Sequence, residues 1–252
     1  MTSGSSSISV GLVQLNVGGL SISNLQVNSI SIASNSVIKV NNGAGEVNIS
    51  GSVFNSVSRT GSGNGAAINA ELNGGSKLTI KDQCSFTSCS STENGGAIYA
   101  SLSSGASGSV SIIGSASTFS SCTVSSESGL GGAIYLDLAN GTETQYDLTG
   151  ASYGAGNNAQ YGKNLFIKAA NLRTAVPIHT TESPTKTKIG AIDDEYEKAN
   201  PTNLMGYDGV NILAFPLYYV YTAVTSNIYH VNNGAVEFNY ISFSINTNAE
   251  SG

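Results

Sequence analysis

Charge is the scarcest property of this 252-residue chain: Asp, Glu, Lys and Arg together make up 10% of it, against about 25% in ordinary globular domains. Helix-forming runs of Ala, Leu, Glu and Lys are equally scarce. β-Branched residues alternate instead with Ser and Asn, which suits stacked strands joined by small polar turns. No uninterrupted apolar run is long enough to span a membrane as a helix. Ten basic against sixteen acidic residues leave a net charge of −6. Such a balance argues against nucleic-acid binding, which needs a basic stripe to release phosphate counterions. The three cysteines, Cys84, Cys89 and Cys122, are not spaced as a metal site, and their odd number leaves at least one thiol unpaired within the chain. His179 and His230 stand far apart with no ligand spacing around them. Residues 1–10 have no basic start followed by an apolar core, so no secretory signal is visible; either the protein is cytosolic or, the favoured reading, the sequence is a fragment of something longer.

What is present is repetition. Phe86-Thr87-Ser88-Cys89 is followed by Gly95-Gly96-Ala97-Ile98-Tyr99, and Phe119-Ser120-Ser121-Cys122 by Gly131-Gly132-Ala133-Ile134-Tyr135. A weaker copy runs Phe54-Asn55-Ser56-Val57, then Gly65-Ala66-Ala67-Ile68, and a degenerate fourth covers Tyr153 to Ile167. The anchors Phe54, Phe86 and Phe119 lie 32 and 33 residues apart. Each repeat holds three strand candidates: the anchor, the Ala-Ile-Tyr segment and an apolar pair such as Leu78-Thr79-Ile80 or Val110-Ser111-Ile112. Period-two alternation also fills Ser7 to Ile49.

Three in-register strands per repeat predict an all-β parallel β-helix over residues 1–170, each coil about 4.8 Å from the last. Phe86 should then lie over Phe119, Cys89 over Cys122 and Ile98 over Ile134. Stability must come from neighbour stacking and capped ends, since one coil cannot bury its own apolar face. The Gly-Gly pairs read as corner glycines. A phosphate-cradling loop would need a following helix, and Ala-Ile-Tyr reads as strand. Cys89 and Cys122 share a repeat position within reach of a disulfide, with a buried thiol ladder as the preferred alternative.

Residues 171–208 concentrate charge and carry Pro177, Pro184 and Pro201, which predicts a polar loop or linker. Residues 209–252 begin with the apolar patch Val210 to Val224, expected to cover the end of the coil or to pair with Ile228 to Phe243 as a small β module.

The paired Phe-x-x-Cys and Gly-Gly-Ala-Ile-Tyr elements resemble the polymorphic outer-membrane protein repeat, whose signature pairs Phe-x-x-Asn with Gly-Gly-Ala-Ile. Tyr161-Gly162-Lys163-Asn164-Leu165-Phe166-Ile167 looks like the closure found in versions from anaerobic protists. The resemblance covers about Val53 to Ile167, under half the chain. It departs from the signature where Cys89, Cys122 and Val57 stand in place of the family's Asn. It implies a pectin-lyase-like right-handed β-helix, a cell-surface or extracellular location, an adhesion or structural role toward glycans or surface proteins, and no catalytic, cofactor or metal residues. On an exported chain, Asn48-Ile49-Ser50 and Asn140-Gly141-Thr142 would be glycosylation sequons.

The alternative is a polysaccharide-active β-helix enzyme, since fold does not imply function. A lyase of this kind wants acids that hold calcium beside a basic residue, and a hydrolase wants converging carboxylates. Glu71, Asp82, Glu93, Glu127, Asp137 and Asp147 are scattered through the repeats, and Asp193-Asp194 reads as a solvated turn. A non-enzymatic repeat segment is therefore the expected function.

Overall fold

The computed structural model describes residues 6–8, 10–105, 107–176, 188–190, 199–209, 214–217, 228–230 and 236–238. They build a right-handed parallel β-helix of about five turns. The first coil holds β1 (Ser6–Ile8), β2 (Val13–Leu15) and β3 (Gly18–Ser23). The second holds β4 (Gln26–Ile32), β5 (Ile38–Val40) and β6 (Ala44–Ser50), and the third β7 (Val53–Arg59), β8 (Ile68–Leu72) and β9 (Lys77–Lys81). In the fourth the anchor strand is split, giving β10 (Ser85–Thr87), β11 (Ser90–Ser91), β12 (Ile98–Leu102) and β13 (Ser109–Ile113). The fifth repeats this as β14 (Ser117–Ser120), β15 (Thr123–Val124), β16 (Ile134–Leu138) and β17 (Tyr146–Asp147). The chain closes with β18 (Ala151–Tyr153), β19 (Leu165–Ala169), α1 (Leu172–Ala175), β20 (Leu204–Asp208), β21 (Phe215–Pro216), β22 (Ile228–His230) and β23 (Val236–Phe238).

Equivalent strands stack into three parallel sheets. Sheet A runs β1-β4-β7-β10-β14-β18, with β11 and β15 alongside; sheet B runs β2-β5-β8-β12-β16-β19-β20-β21; sheet C runs β3-β6-β9-β13-β17. The alternation of the sequence becomes inside and outside. Along sheet C, Leu20, Val47, Leu78, Val110 and Tyr146 are register partners, and so are Ile22, Ile49, Ile80 and Ile112. From the second coil onward these side chains are buried. Burying one such side chain contributes about 1.5–3 kcal/mol relative to leaving it in water, and each does so only because its copy covers it.

Ser88 and Ser121, where the anchor strand is interrupted, adopt φ of 52° and 53°, and the equivalent Ser29 and Ser56 adopt 54° and 53° within the continuous β4 and β7. A left-handed residue bends the chain at the same place in the second to fifth coils, and the flanking residues keep their register. At the next corner Gly95 has φ of 66°. A Cβ there would lie 2.1 Å from the Ile98 carbonyl oxygen, and one on Gly96 would lie 2.1 Å from the Gly132 carbonyl oxygen of the following coil. These glycines therefore serve close backbone approach, and a strand rather than a helix follows them.

Within 171–208, read from sequence as loop, two segments are regular. Asn171 caps α1, accepting from the Thr174 N–H at 2.9 Å, and α1 buries Leu172 and Ala175 against the core. β20 then adds a further parallel strand beside β19, so sheet B continues to Asp208, past the predicted limit at residue 170. Its Leu204-Met205 pair matches Leu165-Phe166 in register, a correspondence that the charged residues around it obscure in the sequence. β21 pairs antiparallel with β20, and Leu217 beside it is buried. Residues 188–190 cross the end of sheet C, where the Lys188 carbonyl accepts from the Leu148 N–H at 2.7 Å and the Ile189 carbonyl from the Tyr153 hydroxyl at 2.8 Å. β22 and β23 pair antiparallel within the stretch read as a β module. His179, Asp193, Asp194 and most of the patch from Val210 to Val224 lie outside the described residues.

Candidate functional site

The Phe, Ile and Cys residues singled out in the sequence point inward and form three ladders. Phe54, Phe86 and Phe119 are register partners, stacked with ring centroids 5.0 and 4.7 Å apart and planes within 4° and 1° of parallel. Tyr153 extends the column at 6.2 Å, tilted by 37°. Offset-stacked rings gain beyond their buried area. Ile98 and Ile134 are register partners in sheet B, continued by Ile68 and Leu165, with Ala97 and Ala133 buried beside them.

The third ladder is made of thiols. Cys89 and Cys122 are buried free thiols. The Cys89 thiol donates to the Phe54 carbonyl and the Cys122 thiol to the Phe86 carbonyl, both at 3.5 Å. One coil later Asn157 Nδ2 donates to the Phe119 carbonyl at 3.1 Å, while its Oδ1 accepts from the Cys122 N–H at 2.8 Å. The thiols thus occupy the place that an asparagine takes in the last coil, and they reach the equivalent acceptor. Sequence spacing hides Asn157 because it follows Tyr153 by four residues, where the cysteines follow Phe by three. A hydrogen bond with Cys122, followed by burial, pushes the Cys89 thiol up, so it stays protonated and unreactive at neutral pH. Cys84 is buried at another corner, beside the Ser52 N–H and the Lys81 carbonyl, and burial raises its thiol too.

The outer faces of sheets A and B differ. On sheet B one outward column reads Gln14, Lys39, Asn69, Tyr99, Tyr135, Phe166, Met205. Tyr99, Tyr135 and Phe166 stack at 5.4 and 5.7 Å, and Tyr207 meets Phe166 edge-on at 5.1 Å. Leu130 and Tyr161 pack over this spine, leaving Tyr99 half-buried. The neighbouring column reads Glu71, Ser101, Asp137, Lys168, Tyr207. Its acids are paired: Glu71 with Lys39, which also donates to Asn69 Oδ1 at 3.2 Å, and Asp137 with Lys168 at 2.9 Å. Burial first, then the Asp137 carboxylate, push the Tyr99 hydroxyl up to about 12.

Sheet A's outer face carries no charge in its three columns. They read Gln26, Val53, Ser85, Thr118, Ser152; Asn28, Asn55, Thr87, Ser120; and Ser31, Ser58, Ser90, Thr123. Side chains of adjacent coils touch, with Ser90 donating to Ser58 at 3.1 Å, Asn55 to Asn28 at 3.4 Å and Thr118 to Ser85 at 3.4 Å. The result is a hydroxyl and amide surface interrupted by Val53.

The two sequons fall in unlike places. Asn140 is exposed in a turn, with the buried Thr142 hydroxyl donating to the Ala139 carbonyl at 2.8 Å. Asn48 is half-buried within β6, flanked by Ser21 and Thr79 on adjacent strands. Among the described residues no three His, Cys, Asp or Glu side chains group to hold a metal ion, and no helix is long and apolar enough to cross a membrane. Against protein-family models, curated proteins and solved structures the chain finds no match.

Proposed function

We propose that this chain is a non-enzymatic β-helix segment of surface or adhesion type, which binds through the outer faces and corner loops of the coil. The observation that carries the reading is sheet A's uncharged hydroxyl and amide array, repeated coil by coil on a rigid stack. A rigid, polar, charge-free face offers many equivalent hydrogen-bonding positions and no ionisable group for bond cleavage. The partners it suits are neutral glycans or polar protein surfaces. Location at a cell surface follows from the family resemblance, and the exposed sequon at Asn140 is compatible with it.

One observation favours a polysaccharide-active enzyme instead: Glu71 and Asp137 share a column with only Ser101 between them, beside Tyr99. Each carboxylate is engaged by a lysine, which lowers its availability as a general acid. A glycan-array screen on the whole chain, paired with a product assay on acidic and neutral polysaccharides with and without calcium, tests both readings. Binding without cleavage is expected, and calcium-dependent cleavage would overturn it.

A further inference from the structure

We propose that Asn73 is a self-modification site: its side-chain amide closes on the Gly74 backbone nitrogen and is lost as ammonia, leaving an aspartyl or isoaspartyl residue at the corner between β8 and β9. Six Asn-Gly pairs occur in the chain, at Asn42, Asn64, Asn73, Asn94, Asn140 and Asn233. Glycine after asparagine favours this cyclisation, since no Cβ hinders the approach of its nitrogen and its backbone turns freely. That nitrogen must also be free of a hydrogen bond. Five of the pairs lie within the described residues, and in four of them the glycine N–H is held. Gly43 donates to Asn73 Oδ1 at 3.1 Å, Gly65 to the Asn94 carbonyl at 3.0 Å, Gly95 to the Leu130 carbonyl at 2.9 Å and Gly141 to Glu143 Oε2 at 2.8 Å. Among the described residues the Gly74 N–H has no acceptor.

The turn explains the difference. The Ser76 N–H donates to the Asn73 carbonyl at 2.8 Å, closing a four-residue turn in which Gly74 and Gly75 have φ of 50° and 92°. Only the last N–H of such a turn is bonded across it, which leaves that of its second residue, the exposed Gly74, to solvent. One coil earlier the pair sits a place later in its turn, where Asn41 accepts from the Ala44 N–H and Gly43 is the third residue. Gly43 thus reaches across to Asn73 and readies it. Its N–H polarises the Asn73 Cγ–Oδ1 bond and can hold the oxyanion formed when nitrogen adds to Cγ, while Nδ2 has no partner among the described residues. The Gly74 nitrogen bonds to Cγ and gives up its proton, and the Cγ–Nδ2 bond breaks as Nδ2 departs with that proton as ammonia. Water then opens the cyclic imide. Opening at Cγ gives aspartate, and opening at the main-chain carbonyl gives isoaspartate; either adds a negative charge to the net −6 of the chain.

Peptide mapping of the whole chain, aged folded in mildly alkaline buffer and fragmented by electron transfer to tell aspartate from isoaspartate, tests this. Conversion at Asn73 should run several-fold faster than at Asn42, Asn64, Asn94 or Asn140. In urea these sites should convert at comparable rates, because the preference comes from the hydrogen bonds of the folded chain. Glu143→Ala, which frees the Gly141 N–H, should bring out conversion at Asn140 and leave Asn73 as it was, with an unchanged circular dichroism spectrum. An Asn73 no faster than the other sites in the folded chain overturns the proposal. So does a preference for Asn73 that persists in urea, or an Asn140 that stays silent in the folded Glu143→Ala chain.

Discussion

The first and fourth coils use the same three sheets, yet they sit at opposite extremes of burial. In the fourth, Phe86 is fully buried between the rings of Phe54 and Phe119; in the first, Leu20 and Ile22 have, among the described residues, a neighbouring strand on one side only and are half-buried. Alternation is as clear in Leu20-Ser21-Ile22 as in Leu78-Thr79-Ile80. The difference shows that in a stacked coil, burial is a property of having two neighbours and not of the strand's own pattern.

Truncating the best-covered side chain should separate the two coils most. Phe86→Ala is expected to cost about 3–5 kcal/mol, against roughly 1 kcal/mol for Leu20→Ala, because a cavity closed on both sides cannot collapse. Urea unfolding of both variants measures the gap, and equal losses would mean that the first coil is covered as well as the fourth. Backbone approach gives the next largest contrast. Gly95 and Gly18 both have positive φ, 66° and 79°, but a Cβ on Gly95 meets the Ile98 carbonyl at 2.1 Å while one on Gly18 meets nothing within 4 Å. Gly18→Ala should then lose only the left-handed strain of about 1–2 kcal/mol, and Gly95→Ala clearly more, read as a larger drop in urea midpoint.

Alkali distinguishes the coils chemically, since none of the residues before Lys39 is an acid, base, cysteine or tyrosine. The unfolded chain ionises tyrosine near pH 10, whereas folded Tyr99 holds its proton to about 12. The stability this provides is complete below about pH 10 and is lost as pH rises toward 12, because the unfolded state releases the proton first. Tyr99→Phe should flatten that part of the stability–pH curve, and a curve of undiminished slope would assign the loss to other groups. The smallest effect should be the same in both halves. Ser88 and Ser29 are exposed and left-handed, with φ of 52° and 54°. Replacing either by Gly should change stability by about 0.5 kcal/mol in the stabilising direction, strain relief outweighing the added freedom of the unfolded chain. Matching shifts in melting temperature would mark a backbone effect; a shift at only one site would implicate packing.

Much of the fold was legible because the period leaves its mark on residue type. Phe recurs at 54, 86 and 119 and Gly at 95 and 131 because each must fit over its own copy, and mismatched side chains at such positions would leave gaps or clashes. Less of the outer surface was legible. Lys39 meets Glu71 and Lys168 meets Asp137 across coils, pairings between residues 32 and 31 positions apart that no local pattern announces. The stacking tyrosines were in view as the last letter of Gly-Gly-Ala-Ile-Tyr, but their burial depends on Leu130 and Tyr161 folding over them from the corners.

The amino-acid sequence by itself determined the strands, their period and the inward ladders, because alternation and repetition are local or simply periodic signals. Tertiary structure decided two things: how far sheet B continues beyond the repeats, and which face is charged and which is neutral. Loop lengths vary from coil to coil and β20 returns to sheet B only after a long excursion. Those outcomes follow from which coil lies above and below each residue, and only the stacked chain supplies that information.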